Sequence, residues 1–199
     1  MKNGIFWVVA LCAAALGALT PEEARTARLH DAKWGVFNHF LGYGCKTADE
    51  WKKFGVTMGE AAETAVKWGI PVSVHNHCHE FTKVYDGVCA WDLIFSNASP
   101  RLNQQIDTSQ VVNPGLDCVE RIRKYSGRNF SCHMKENVPT DWGFFGVGPR
   151  DGGKRVPWRE TVDCLYAEPG FEWFVIECER RPDSFLPAKR NYEFLSALV

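Results

Sequence analysis

Pro71-Val72-Ser73-Val74-His75-Asn76-His77 is an apolar run of strand length that closes on three polar residues, with Gly69 just before it. Four further stretches share that plan: Trp34-Gly35-Val36-Phe37-Asn38-His39, Gln104-Gln105-Ile106-Asp107, Asn129-Phe130-Ser131-Cys132-His133 and Trp173-Phe174-Val175-Ile176-Glu177. Each is short and ends in a polar or ionisable side chain. Between them lie segments of helical period: residues 59–68, 91–96, 118–125, 157–165 and 188–198. The first carries Ala61, Ala62, Ala65 and Val66, and the last sets Tyr192, Leu195 and Leu198 on one side. Short strands alternating with helices predict an α/β chain of repeated βα units around a parallel sheet. Gly69 and Ser126-Gly127 stand where the first and third helices must stop, because a residue free to adopt positive φ ends the turn.

In such a sheet all strand C-termini face one way, so the residues that end the strands can meet in space. Here they are His75-Asn76-His77 with Glu80 just beyond, Asp107, His133 and Glu177. A mixed set of imidazoles and carboxylates is the ligand field expected for Mn²⁺, Mg²⁺ or a related divalent ion. A single His or Asp at a strand end is ordinarily a cap or a hydrogen-bonding group. Four such ends in succession point to a shared ligand. The strand that ends in Glu177 would bury its carboxylate in apolar company, and a cation shared with other carboxylates removes the cost of that unpaired charge.

The ordered motifs carry a family resemblance from about residue 55 to residue 199. Gly69-Ile70-Pro71-Val72-Ser73-Val74-His75-Asn76-His77, followed by Glu80-Phe81, resembles a strand of the sugar phosphate isomerase/epimerase family, the xylose-isomerase-like TIM barrels. Ile106-Asp107-Thr108 resembles the strand that ends in that family's metal-binding Asp, with Pro114-Gly115-Leu116-Asp117 opening the next helix. Tyr125-Ser126-Gly127-Arg128, leading to His133-Met134-Lys135-Glu136, resembles the segment bearing a metal-binding His and a substrate-contacting Lys. Gly146-Val147-Gly148, the strand ending in Glu177 and a closing Tyr-x-x-Leu helix continue the match.

The resemblance implies a divalent metal held by a Glu, Asp107, His133 and Glu177. The family's first Glu stands inside a strand that here reads Val72-Ser73-Val74-His75, so Glu80, or His75 or His77 in its place, takes that role. It further implies proton transfer beside a carbonyl through an enediolate, with Glu177 and Glu80 as acid/base groups and Lys135 orienting the substrate or stabilising charge. His75, His77 and Lys135 are the expected contacts to a small-molecule sugar. A keto-sugar or inosose dehydratase or lyase would use the same metal and base, and a non-catalytic sugar-binding remnant is a third class.

A complete member of that family has eight βα units and this sequence shows fewer, so the resemblance implies an α/β partial (β/α) TIM barrel of about four to five parallel strands with flanking helices. Such a sheet keeps open edges, which invite pairing with a second copy of the chain. Residues 20–54 read as a separate N-terminal segment of unassigned origin, in which Trp34-Gly35-Val36-Phe37-Asn38-His39 is similar over a few residues to the opening strand of α-L-fucosidase-like glycosidases. Residues 1–19, with Lys2 ahead of an apolar Ala-rich run and Leu16-Gly17-Ala18 at its end, read as an export signal rather than a membrane span.

With 45% hydrophobic residues and 23 Lys and Arg against 24 Asp and Glu, the charges are balanced and scattered. That excludes nucleic acid as a partner, since no basic stripe faces a phosphate backbone. Beyond the signal the cysteines have no C-x-x-C spacing, so free, mostly buried thiols are expected rather than a zinc knuckle. The Gly-rich aromatic stretch 137–157 reads either as a lid over a strand end or as a surface connection stapled by its aromatics.

Overall fold

Thr47 starts the first helix. Its backbone N–H donates to Glu50 Oε2 at 2.8 Å and its hydroxyl accepts from the Glu50 N–H at 3.3 Å, a reciprocal capping box. Helix α1 therefore spans Ala48–Ala65, well ahead of the expected start at Gly59. Gly55 and Gly59 do not break it. They face helix α3 (Ala90–Asn97) and its C-terminal turn, where a Cβ on Gly55 would collide with the Ile94 carbonyl and one on Gly59 with the Ser99 amide. The computed structural model describes residues 44–137, 144–148, 153–177 and 185–199, all belonging to one unit. The expected export signal and the strand at residues 34–39 lie outside the described residues, as does Cys178.

After a 3₁₀ turn at Val66–Trp68, Gly69 at φ 69° releases the chain into strand β1, Val72–His75. A short helix α2 (Cys78–Thr82) and a small hairpin of β2 (Val84–Tyr85) and β3 (Val88–Cys89) lead into α3. Asp86 and Gly87, both at positive φ, make the hairpin turn, the dipeptide that such tight turns favour. These elements are too short to show a period in the sequence. Then follow β4 (Leu102–Asp107), α4 (Thr108–Val112), α5 (Cys118–Lys124), β5 (Ser131–Met134), α6 (Trp158–Tyr166), β6 (Trp173–Ile176) and α7 (Phe185–Ser196). The sheet order is β1-β4-β5-β6, with every neighbouring pair parallel. This is an α/β partial TIM barrel, four-stranded among the described residues.

Register decides which residues share a face, because partners in a parallel ladder point the same way and successive residues alternate. Gln105 pairs with His75 and with Ser131, and Asp107 pairs with His133, which pairs with Val175. One face therefore carries His75, Gln105, Asp107, Ser131 and His133. The other carries Leu102, Gln104, Ile106, Cys132 and Met134, all fully buried or nearly so. That second face lies under the helices: Trp91 of α3 donates its indole N–H to Gln104 Oε1 at 3.2 Å, and Gln104 Nε2 donates to the Ile122 carbonyl of α5 at 3.2 Å. A buried polar chain continues from it, since Gln104 Nε2 also donates to Asn129 Oδ1 at 2.7 Å and Asn129 Nδ2 to Glu168 Oε2 at 2.8 Å. Satisfied in this way, the amides fix the register of β4 rather than destabilise the core.

Arg128 closes the other end of the sheet. Its guanidinium donates to the carbonyls of Leu102, Phe95 and Ser99 at 2.8, 3.0 and 3.0 Å while lying 4.8 Å from the centre of the Phe95 ring. The loop after β5 is stapled by its aromatics: Phe145 stacks on Trp158 at 4.3 Å between ring centres, and Glu136 accepts from the Trp158 indole and the Gly146 amide. Its residues 138–143 and 149–152 lie outside those described. Among the described residues six cysteines are free thiols, of which Cys118, Cys132 and Cys164 are buried. No helix among the described residues is long and apolar enough to cross a membrane.

Candidate metal centre

Asp107 ends β4 and caps α4 at once. Its Oδ1 accepts from the Gln110 N–H at 3.0 Å, which is why the strand stops and the helix begins there. The second oxygen, Oδ2, is buried, accepts no hydrogen bond among the described residues, and turns toward the sheet end. There it lies 3.8 Å from His75 Nε2 and 3.9 Å from Lys135 Nζ. His133 Nδ1 stands 2.9 Å from Glu177 Oε2, and Lys135 Nζ donates to Glu177 Oε1 at 2.9 Å. The His75 and His133 rings are 4.3 Å apart, centre to centre.

Glu177 follows β6 directly, and its N–H donates to the Met134 carbonyl at 3.1 Å, so the ladder carries it to the same level as the other strand ends. His75, Asp107, His133 and Glu177 each offer one ligand atom, and these atoms lie within 4.8 Å of one another. Two ligands of one ion, each at roughly 2.0 to 2.6 Å, are at most about 4 to 5 Å apart, so the separation suits a common cation.

The electrostatics agree with that fit. Burial, opposed chiefly by Lys135, pushes the Asp107 carboxyl up to about 6, the mark of a carboxylate with too little compensating charge. Burial, with the neighbouring His133 and His77, brings His75 down to about 2, so its imidazole is neutral and able to ligate at any ordinary pH.

The sequence left the first ligand open among Glu80, His75 and His77, and the structure brings His75 to the group. Glu80, expected there as ligand and as acid/base group, is set in α2 with its own partners. Its Oε2 accepts from the His77 N–H at 2.7 Å and its Oε1 lies 2.8 Å from His79 Nε2. The reason is parity: His75 is the last residue of a strand in register with the other three, whereas Glu80 lies past the turn. His77, an expected substrate contact, has its ring 5.1 Å from that of His75. Lys135, also expected, has a side chain only 14% exposed, so it is no solvated surface lysine.

Sequence reasoning passed over the residues that brace the site. The fully buried Asn76 accepts the Asp107 N–H on its Oδ1 at 2.8 Å, tying the β1 turn to the end of β4. Thr108 Oγ1 donates to the Lys135 carbonyl at 2.6 Å and accepts the Lys135 N–H at 2.9 Å, tying β4 to β5. Gln110 Oε1 accepts the Cys78 N–H at 3.1 Å. The small polar residues directly after His75 and Asp107, Asn76 and Thr108, were the available signal, but their partners are remote in sequence.

Comparison with solved structures places the fold. A sugar phosphate isomerase/epimerase from Parabacteroides distasonis superposes with a TM-score of 0.60 at 22% identity, over 81% of this chain and 56% of that one. A second from the same organism gives 0.62 at 17% identity, over 92% and 68%. The fold is theirs. An L-ribulose 3-epimerase shares it as well, with a TM-score of 0.55 at 19% identity over 81% of this chain and 58% of that chain. The chain thus spans little more than half the length of two of these three structures. No protein-family profile matches it, and no curated protein does.

Proposed function

We propose that this chain is a metal-dependent sugar isomerase or epimerase that moves a proton on a carbon beside a carbonyl. One observation carries the reading: His75, Asp107, His133 and Glu177 converge on one face at the ends of four parallel strands, at the separation a shared cation needs. The fold shared with sugar phosphate isomerase/epimerase structures and an L-ribulose 3-epimerase supports the sugar as substrate class. Two imidazoles among four ligands favour Mn²⁺ or Zn²⁺ over Mg²⁺. A divalent ion held there supplies stabilisation for the negative charge that develops when the proton leaves.

The protein's own groups account for the rest. Glu177 is the base in this reading, and it holds or releases the proton at a carboxylate oxygen. Lys135 fixes the Glu177 carboxylate through Oε1, and its ammonium, 3.9 Å from Asp107 Oδ2, would stabilise negative charge on a substrate oxygen held there. Asn76 and Thr108 hold the strand ends at fixed spacing, which proton transfer over a short distance requires. Glu80 has no role in this step, being turned to His77 and His79.

The test pairs binding with turnover. Mn²⁺ raises the melting temperature of the full chain, and Asp107→Ala and His133→Ala abolish the response. Aldoses and ketoses labelled with deuterium beside the carbonyl lose the label to water with the wild type and keep it with both variants. Retention of every label by metal-loaded wild type, in spite of a thermal response, would reduce the centre to a binding site.

A further inference from the structure

His77, His79 and Glu80 form a second convergence that the isomerase reading does not use. Their ligand atoms lie within 4.8 Å of one another, as those of the first group do. The two imidazoles are stacked, 6.0 Å between centres and 17° between planes, and the Glu80 side chain, 5% exposed, reaches His79 Nε2 at 2.8 Å. All three come from one turn, His77-Cys78-His79-Glu80 at the start of α2, so a single local segment brings them together.

We propose that His77, His79 and Glu80 constitute a second divalent-metal site, selective for Zn²⁺ or a similar borderline ion, next to the first centre but with its own ligands. Two imidazoles and one carboxylate suit such an ion better than Mg²⁺ or Ca²⁺. Three protein ligands leave a tetrahedral ion one open position, which is how zinc sites that take up water or a substrate oxygen are built. The simpler role of Glu80 is to cap α2 through the His77 N–H. That role engages one carboxylate oxygen, and it explains neither the second oxygen directed at His79 nor two rings aligned face to face. The proposal does not rest on the isomerase reading.

Zinc titration of the metal-free full-length protein, with the metal content measured after dialysis, tests it. Two equivalents are expected in the wild type. His79→Ala and Glu80→Gln each lose one, with affinity at that site falling about 100-fold or more, while His133→Ala loses the other. Glu80→Gln keeps an oxygen to accept the His77 N–H, so it remains informative if His79→Ala fails to fold. A single equivalent that His79→Ala removes and His133→Ala spares would uphold this site and sink the first. No zinc bound, one equivalent removed only by His133→Ala, or two surviving both α2 variants would overturn the proposal.

Discussion

Lys135 donates to Glu177 across 2.9 Å and so sets a fixed positive charge inside the group of ligands, 3.9 Å from the Asp107 carboxylate. A divalent cation bound by this group would compete with the ammonium for the same two carboxylates. Replacing Lys135 by Met keeps the stem and removes the charge, and Mn²⁺ is expected to bind about tenfold tighter, a gain of about 1.4 kcal/mol. The same variant is expected to lose label exchange by at least about a hundredfold, the scale of a lost acid/base or charge-stabilising group. Calorimetry and deuterium wash-out read the two separately. Weaker metal binding in Lys135→Met would show that the ammonium organises the ligands rather than repelling the ion.

The response to pH follows from the direction of each shift. Asp107, raised to about 6, and Glu80, raised to about 7, hold their protons more tightly in the folded chain than in the unfolded one. They favour folding at low pH, and that contribution is lost as pH climbs from about 4 to about 7. His75, lowered to about 2, works in the opposite sense. Its contribution is present above about pH 6.5 and is lost as pH falls below that value, where the unfolded chain takes up the proton. The two carboxyl shifts together outweigh the opposing imidazole shift, so the metal-free melting temperature should fall between pH 5 and pH 7. The added stability from Mn²⁺ should grow over the same range, because the ion replaces a proton on Asp107 below about pH 6. Thermal scans at pH 5, 6.5 and 8 with and without the ion check this, and an increment that shrinks with pH would contradict it.

Two effects of opposite sign meet at Gly55. Alanine is the better helix former by up to about 1 kcal/mol. The Cβ would meet the Ile94 carbonyl, part of the backbone of α3, which cannot swing aside as a side chain would. Overpacking of this kind costs about 1–3 kcal/mol. Gly55→Ala is therefore expected to destabilise the protein, lowering the melting temperature by several degrees at about 2–4 °C per kcal/mol. A rise in melting temperature would show that α1 and α3 are not in close contact.

Arg128 reaches three carbonyls that have no substitute donor of the same shape. Lysine retains the charge but offers a single point in place of a fork. Arg128→Lys should cost about 2–4 kcal/mol, since hydrogen bonds from charged groups contribute about 1.5–3 each and abandoned buried acceptors add to the loss. Urea unfolding gives the value. A loss below about 0.5 kcal/mol, the level of ordinary surface substitutions, would mean that these contacts are dispensable.

Much of the architecture was legible because the signals are local. The strands ending in His75, His133 and Glu177 show short, mostly apolar runs closed by a donor, the one ending in Asp107 shows its donor after Ile106, and the helices between them show their period. The start of α1 was misplaced, because Gly55 and Gly59 resemble a break until the neighbouring helix is known to need the space. Helix α2 and the β2–β3 hairpin escaped notice, being shorter than any repeat.

By itself, the sequence determined the alternation of strand and helix, the parallel sheet, and a short set of residues able to bind a cation at its C-terminal edge. Which of His75, His77 and Glu80 joins Asp107, His133 and Glu177 was settled only by tertiary structure. The choice depends on the register of β1 against β4, and a slip of one residue would turn His75 to the opposite face. That register is set by partners remote along the chain, such as Asn76 with Asp107, and such pairings leave no pattern in any one segment.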